Sequence, residues 1–353
     1  MTYIYYLNLN HDRYMVDPKH IREIVNKLIE NKSTIKFVDA RRLLKSFGLN
    51  EINTILGSNI NFIDLFRNAH ELEYFNGEYI CSHGSLDYNT DLNSMFDGCL
   101  NLKLVNLSYA FSNAVSTLNI QLNGMFKNFM NLEQVNLDST FQNAKGTNLI
   151  SCREMFENCL NLKYVNVKRM FNGVQHLTEI DLTRMFANCK NLYSISFTDF
   201  LTDCNKLTKI NAMNMFENCD NLKWLFLVDA CKKEGVTITL RDSFVCNISI
   251  DINEYGIDYY ELLSDRKDSF CDGIINNLGV GSNLYVSAKR EFNHTLLLRC
   301  NNLNVTVYTV KEGKLHKKYG VHQNSDGEYI FEEHIPDFDP NTNFMNDVVF
   351  KSM

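Results

Sequence analysis

Apolar positions along the middle of the chain recur with a period that neither a helix nor a strand alone would produce. Aligned on a Leu/Met–Phe pair, the first positions fall at Leu65, Met95, Met125, Met155, Met185 and Met215, thirty residues apart without a slip. Phe66, Phe96, Phe126, Phe156, Phe186 and Phe216 follow directly, and Leu72, Leu102, Leu132, Leu162, Leu192 and Leu222 come six positions later. Three further on stand Phe75, Val105, Val135, Val165, Ile195 and Leu225. A fixed period of this length marks a stacked solenoid, in which one unit cannot bury its apolar side alone and its neighbours close the core. A weaker half-repeat lies fifteen residues out of phase: "AFSNA" from Ala110, "TFQNA" from Thr140 and "MFNGV" from Met170. Its apolar end is marked by Ile120, Ile150, Ile180, Ile210 and Leu240, so each coil holds two similar halves.

The spacing inside one half predicts its local shape. In "MFENCLNLKYVNV", Met155, Phe156, Cys159 and Leu162 fall at i, i+1, i+4 and i+7, the stripe of two helical turns. Val165 and Val167 then alternate with Tyr164 and Asn166, the period of a strand with one face inward. A short helix or 3₁₀ turn feeding a short strand, twice per coil, is the expectation. Stacked coils would pair each strand with its copy in parallel at ~4.8 Å.

The two ends depart from the repeat. Over residues 1–64, "YIYYLNL" reads as a strand and "DPKHIREIVNKLIENK" as a helix, with Asp17 as its N-cap and Pro18 at the first helical position. "TIKFVDA" and "ARRLLKSFG" add a strand and a helix, giving an α+β N-terminal cap. Over residues 245–353, "NISIDI", "NLYVSA", "HTLLLRC", "LNVTVYTV" and "GEYIFEE" read as strands around one helix in "YYELLSDRKDSFCDGIINNLG". The expected fold class is α+β: a leucine-rich-repeat-like parallel-strand solenoid of six coils over 65–244, with an α+β cap before it and a β-rich domain after it.

The residues Met155, Phe156, Cys159, Leu162, Val165 and Val167, with their equivalents in the other units, resemble the "AF/MF-x-x-C-x-x-L-x-x-I/V-x-L" phrase of BspA-type leucine-rich repeats. The resemblance covers about half the chain. It implies a curved parallel-strand solenoid used in adhesion or protein contact. It says nothing of catalysis.

Charge narrows the partners. A net charge of −7 and no Lys/Arg run longer than two argue against a nucleic-acid or anionic-membrane surface. No stretch approaches ~18 consecutive apolar residues, and the start lacks a basic segment followed by an apolar one. The eleven cysteines, an odd number scattered over a long chain, fit reduced thiols. A cytoplasmic or virion location without a signal peptide is the resulting expectation. Abundant Asn, Ile, Lys and Tyr and only three prolines add the particular version of a viral or phage particle component.

Columns of the repeat carry the candidate chemistry. Cys99, Cys159, Cys189 and Cys219 share one column with Phe129. One thiol per coil, replaceable by phenylalanine, predicts small core residues and not four ligands converging on a metal. Asn101, Asn131, Asn161, Asn191 and Asn221 form an unbroken column, read as turn-bonding amides, with a ligand-binding ladder as the alternative. Outward strand positions differ between units, and a solenoid acquires its partner surface there. Lys163, Tyr164, Tyr193, Lys223 and Trp224 are the candidate binding set for a protein partner, with a glycan as the alternative. Trp224 and Phe226 are expected to be covered by the C-terminal region. No catalytic grouping, cofactor or metal site is expected. "GVGSN" at Gly279 precedes a strand and is no phosphate loop. The tail Asp337, Asp339, Asn341, Asn343 and Asp347 lacks the glycine and terminal glutamate of a calcium loop.

Overall fold

A computed structural model describes residues 6–8, 18–43, 66–83, 89–115, 119–222, 224–226, 230–231, 237–239, 249–252, 283–287, 306–311, 314–323 and 329–334. They form a parallel β-solenoid with little helix. Each coil places one three-residue strand in each of two sheets. The first sheet takes Tyr74–Asn76, Leu104–Asn106, Gln134–Asn136, Tyr164–Asn166, Ser194–Ser196 and Trp224–Phe226; the second takes Asn89–Asp91, Asn119–Gln121, Leu149–Ser151, Glu179–Asp181, Lys209–Asn211 and Thr237–Thr239. Register follows the sequence period up to Lys209–Asn211, after which Ile210 pairs with Ile238 and not, as expected, with Leu240, two residues short of the period. Val135 pairs with Val165 and Val165 with Ile195, while Ile150 pairs with Ile180 and Ile180 with Ile210.

The helix or 3₁₀ turn expected before each strand does not form. Among the described residues the one helix is Pro18–Asn31, and the repeat phrase is built from turns. The reason lies in the backbone. Ser139, Asn143, Glu154, Asn158, Arg169, Gly173, Arg184 and Asn188 all have positive φ, spaced by alternating steps of four and eleven residues. A left-handed residue every few positions cannot continue a right-handed helix. The donors go elsewhere. Cys152, Glu154, Phe156 and Asn158 donate their backbone N–H groups to Asp181, Thr183, Met185 and Ala187 of the next coil, at 2.7–2.9 Å. Between them, Met155, Glu157 and Cys159 donate three residues back, to Cys152, Glu154 and Phe156. The corner is thus a turn that hydrogen-bonds along the stack like a strand.

Side chains of the repeat stack in files inside the coil. Phe96, Phe126, Phe156, Phe186 and Phe216 follow one another with ring centroids 5.2–5.5 Å apart and planes within 19°. The half-repeat gives a second file, Phe111, Phe141 and Phe171, at 5.3 and 5.8 Å. Phe200 ends that file edge-on at 66° to Phe171, one position earlier in its repeat than the others. The column cysteines are buried, and each donates its thiol to a phenylalanine carbonyl of the preceding coil, Cys159 to Phe126 and Cys189 to Phe156. Phe129 fills the same column and meets Phe126 edge-on at 5.9 Å.

The first sheet runs past the repeat at both ends. Tyr6–Asn8 pairs with Phe37–Asp39, and that strand pairs with Tyr74–Asn76, all parallel. Leu28 of the helix and Ile35, Val38, Ala40 and Leu43 join the same core. Beyond Trp224–Phe226 the sheet adds Ser249–Ile252, Asn283–Ser287 and Thr306–Lys311 in parallel. Lys314–Gln323 and Tyr329–His334 then follow antiparallel. The expected boundaries near 64 and 244 lie outside the described residues. At Arg41–Leu43 the expected second helix is a turn, with Arg42 at φ +57°. Outside the described residues too lie the N-cap Asp17, the rest of that segment from 44 to 48, "HTLLLRC", the helix around residues 259–279, residues 279–282 of "GVGSN" and the tail from Asp337.

The files make a stability prediction. Phe156→Ala removes a ring stacked on both sides and leaves a cavity that the two adjacent coils cannot close. Urea unfolding is expected to report a loss of about 3–5 kcal/mol. A loss under ~1 kcal/mol would mean that the ring is not enclosed between coils.

Candidate interaction surface

The outward face of the first sheet is set by two adjacent columns. Position one of each strand gives Phe37, Tyr74, Leu104, Gln134, Tyr164, Ser194 and Trp224, each in register with the next. The residue just before the strand gives Lys36, Glu73, Lys103, Glu133, Lys163 and Tyr193. Coil-to-coil backbone bonds hold this second column, since Glu133 accepts from Lys163 N and Lys163 accepts from Tyr193 N at 2.9 Å each.

In that column the charges alternate and pair. Glu73 lies 3.0 Å from Lys36 and 2.6 Å from Lys103, and Glu133 lies 3.2 Å from Lys163. Hydrogen bonds from Lys103 and Lys36 hold the Glu73 carboxyl below the usual range. At one end, Phe37 and Tyr74 stack at 4.6 Å with planes 4° apart.

Two of the candidate residues meet on this face. The Tyr164 and Tyr193 rings, both half-buried, pack edge-on with centroids 6.3 Å apart and planes at 70°. Lys163 borders them and is tied to Glu133. Trp224 stands on the strand after Ser194, so Tyr164, Ser194 and Trp224 occupy three successive strands of one column. Ser194 between them is buried. Lys223 and the Trp224 and Phe226 side chains lie outside the described residues.

The asparagine columns bond along the stack. Asn131 donates to Leu100 O, Asn161 to Met130 O and Asn221 to Lys190 O, at 2.8–2.9 Å. They do bond adjacent coils, but on an exposed rim and not in a buried turn. Sequence reasoning missed a second ladder, Asn128, Asn158, Asn188 and Asn218, linked amide to amide at 2.7–2.8 Å and sitting at left-handed positions. Its signal was the N of "FKNF", "FENC" and "FANC", recurring at the same period. Also missed was Tyr79 stacked on Tyr109 at 4.7 Å, with the Arg42 guanidinium 5.8 Å from the Tyr79 ring.

One corner holds a charge cluster. Glu157 is buried, with Lys127 at 2.7 Å and Arg184 at 2.6 Å; Lys127 also reaches Glu154 at 2.6 Å, and Arg184 pairs with Glu217. Burial pushes the Glu157 carboxyl up, but the two cations outweigh it and its pKa is lowered. Elsewhere burial pushes the Cys99 and Cys159 thiols up to about 12, which leaves them protonated and poorly nucleophilic. Among the described residues no group of three or more His, Cys, Asp or Glu is placed to hold a metal ion. No helix among them is long and apolar enough to cross a membrane.

Comparison of the chain with protein-family models, with curated proteins and with solved structures found no match. The repeat solenoid is the class of architecture the structure defines, and it is compatible with a binding or scaffold role.

Glu157 supplies a pH prediction. Its folded pKa lies below the unfolded value of about 4.3, so its contribution is complete above that value and is lost as pH falls through the folded pKa. Urea midpoints measured from pH 6 down to about 3 should therefore drop less steeply for Glu157→Gln than for the parent. Parallel profiles would show that the cations do not bias this carboxyl.

Proposed function

We propose that the protein is a non-enzymatic scaffold that binds another protein on the outward face of its first sheet, around Tyr164 and Tyr193. The observation that carries the reading is the contrast between columns. Inward positions repeat almost without change, while the outward strand positions vary and bring two tyrosines together. A uniform frame with variable outward side chains is how solenoids acquire specificity. Half-buried tyrosines beside a lysine have the composition of an interface hot spot. The likeness of the repeat phrase to BspA-type leucine-rich repeats supports the same role, and a place within a viral particle is the version favoured by composition.

Two features favour a protein partner over a glycan. Sugar rings stack on flat aromatic faces, whereas Tyr164 and Tyr193 stand edge-on to each other. Glu133, one coil before Lys163 in the same column, is paired with that lysine and not with a second carboxylate as glycan cleavage requires.

The test compares captures from native material. Tyr164→Ala/Tyr193→Ala is expected to lose the protein that the unsubstituted chain retains, while its unfolding midpoint falls only modestly, an edge-on pair contributing about 0.5–1.5 kcal/mol. Equal recovery by both forms would reject this face. Capture of an oligosaccharide instead would move the reading to glycan recognition.

A further inference from the structure

The outward face of the first sheet carries charge in two columns, one on each side of the strands. Before the strands stand Lys36, Glu73, Lys103, Glu133, Lys163 and Tyr193; just beyond them stand Arg41, Glu78, Ser108, Asp138, Lys168 and Thr198. The strand ends fix the second column, since Asn76, Asn136 and Asn166 accept the backbone N–H groups of Glu78, Asp138 and Lys168. Most of these charges pair within the chain: Arg41 with Asp39, Glu73 with Lys36 and Lys103, Glu133 with Lys163, and Asp138 with Arg169. Glu78 and Lys168 do not. Both are half-buried, and neither has an ion-pair partner among the described residues.

We propose that this face binds a second copy of the chain, the two stacks running antiparallel. The two-fold axis lies in the interface along the strands, between Leu104–Asn106 and Gln134–Asn136. Naming the occupant in this way rests on the contact surface proposed above. Such an axis lays each column on itself with the coil order reversed. Glu78 then meets Lys168 of the second copy, twice by symmetry, so the two charges left over within one chain neutralise each other across the contact. The column before the strands agrees, with Lys103 on Glu133 and Glu73 on Lys163. Their bonds within the chain leave room, because an ammonium has three donors and a carboxylate about four acceptor sites. Arg42 meets Asp199, Tyr74 meets Tyr164, and Lys36 lies over the Tyr193 ring.

The neighbouring arrangements fail. Sliding one copy by a single coil puts the axis on Leu104, with Lys36 on Lys163, Glu73 on Glu133 and Glu78 on Asp138. Sliding it the other way puts the axis on Gln134, where Glu133 and Asp138 each meet their own counterpart. A slide of two coils separates Glu78 from Lys168. Turning the axis along the stack lays one column on the other, with Lys36 on Arg41, Glu73 on Glu78, Glu133 on Asp138 and Lys163 on Lys168. A face complementary to itself in one register is what a closed two-fold contact requires. Six strands at ~4.8 Å, with six residues of each at ~3.3 Å, bound about 570 Å² per copy, short of the ~800 Å² of a standard interface. The dimer is therefore weak and concentration-dependent.

The experiment is sedimentation velocity on the full chain over roughly 1–500 µM, with circular dichroism confirming that each variant is folded. A monomer–dimer equilibrium is expected, and it should weaken as salt rises. Lys168→Glu places a carboxylate against Glu78 at both symmetric sites and should raise the dissociation constant about tenfold. Glu78→Lys/Lys168→Glu exchanges the two charges and should restore it. Lys206→Glu changes the net charge equally at an exposed turn before the second sheet, and should leave the dimer as it was. The idea fails if the chain stays monomeric throughout, if Lys206→Glu weakens the dimer as much as Lys168→Glu, or if the exchange does not restore it. A monomer whose captured protein is still lost with Tyr164→Ala/Tyr193→Ala would overturn the second copy and leave the contact surface standing. A monomer whose captured protein survives those alanines would overturn both.

Discussion

Every other feature of this chain depends on backbone N–H groups donating to the coil ahead. The constraint reaches into the corners, where Phe156 and Asn158 donate to Met185 and Ala187 as a strand would. Bringing the backbone into that alignment requires left-handed residues at each bend. Such a conformation costs roughly 1–2 kcal/mol where no glycine relieves it. Glu154, Arg184, Ser139 and Arg169 bear that cost, each hydrogen bond returning about 0.5–1.5 kcal/mol. No coil could sustain it alone. Neighbours that supply both the acceptors and the buried apolar contact make it sustainable, and they fix the period, since one inserted residue would misalign every later bond.

Stacking identical positions also governs which side chains a column can hold. Asparagine can lie on asparagine, and Asn188 bonds Asn158, which in turn bonds Asn128. A thiol can point at the carbonyl of the coil behind it, as Cys159 does toward Phe126. Like charges cannot stack, so charged columns alternate or mix: Lys36, Glu73 and Lys103 in one, Lys127, Glu157 and Glu217 bridged by Arg184 in another. Where an amide would not fit, glycine enters. At Gly173, with φ of +73°, an added Cβ would lie 2.1 Å from the Asn143 side-chain oxygen.

How much of this could be read beforehand follows from the same physics. Burial periodicity was legible, because Phe156, Cys159, Leu162 and Val165 must all point inward whatever the corner conformation. The corner itself was not legible. Positions i, i+1, i+4 and i+7 suit a helix and also suit two bends that each return a side chain to the core. What separates them is the sign of φ at Glu154 and Arg184, residues with no turn preference to betray it. Asparagine at 143, 158 and 188 did carry that signal, since it tolerates the left-handed region. The helix Pro18–Asn31 and the strand Phe37–Asp39 fall where the sequence pattern put a helix and a strand, while Arg41–Leu43 turn instead of starting a second helix; nothing in "TIKFVDA" says that Phe37–Asp39 would extend the repeat sheet. That depends on Val38 lying over Phe75, a long-range match. On the candidate surface, the column containing Tyr164 and Trp224 was legible. The contact between Tyr164 and Tyr193 was not, because it joins a pre-strand position to a strand position across two coils.

The frame therefore separates structural from recognitional demands by direction. Inward and corner positions are fixed by stacking, so their uniformity carries no information about a partner. Outward strand positions on the first sheet are not held to one residue type by stacking, and there the chain changes from Leu104 to Gln134 to Tyr164 without disturbing the register. The exposed turn column is a third case. Stacking does not require Leu100, Met130 or Leu160, since Lys190 and Asp220 serve the same position in the next two coils. Solvent exposure disfavours three aligned apolar side chains there. Neither demand of the frame accounts for that row.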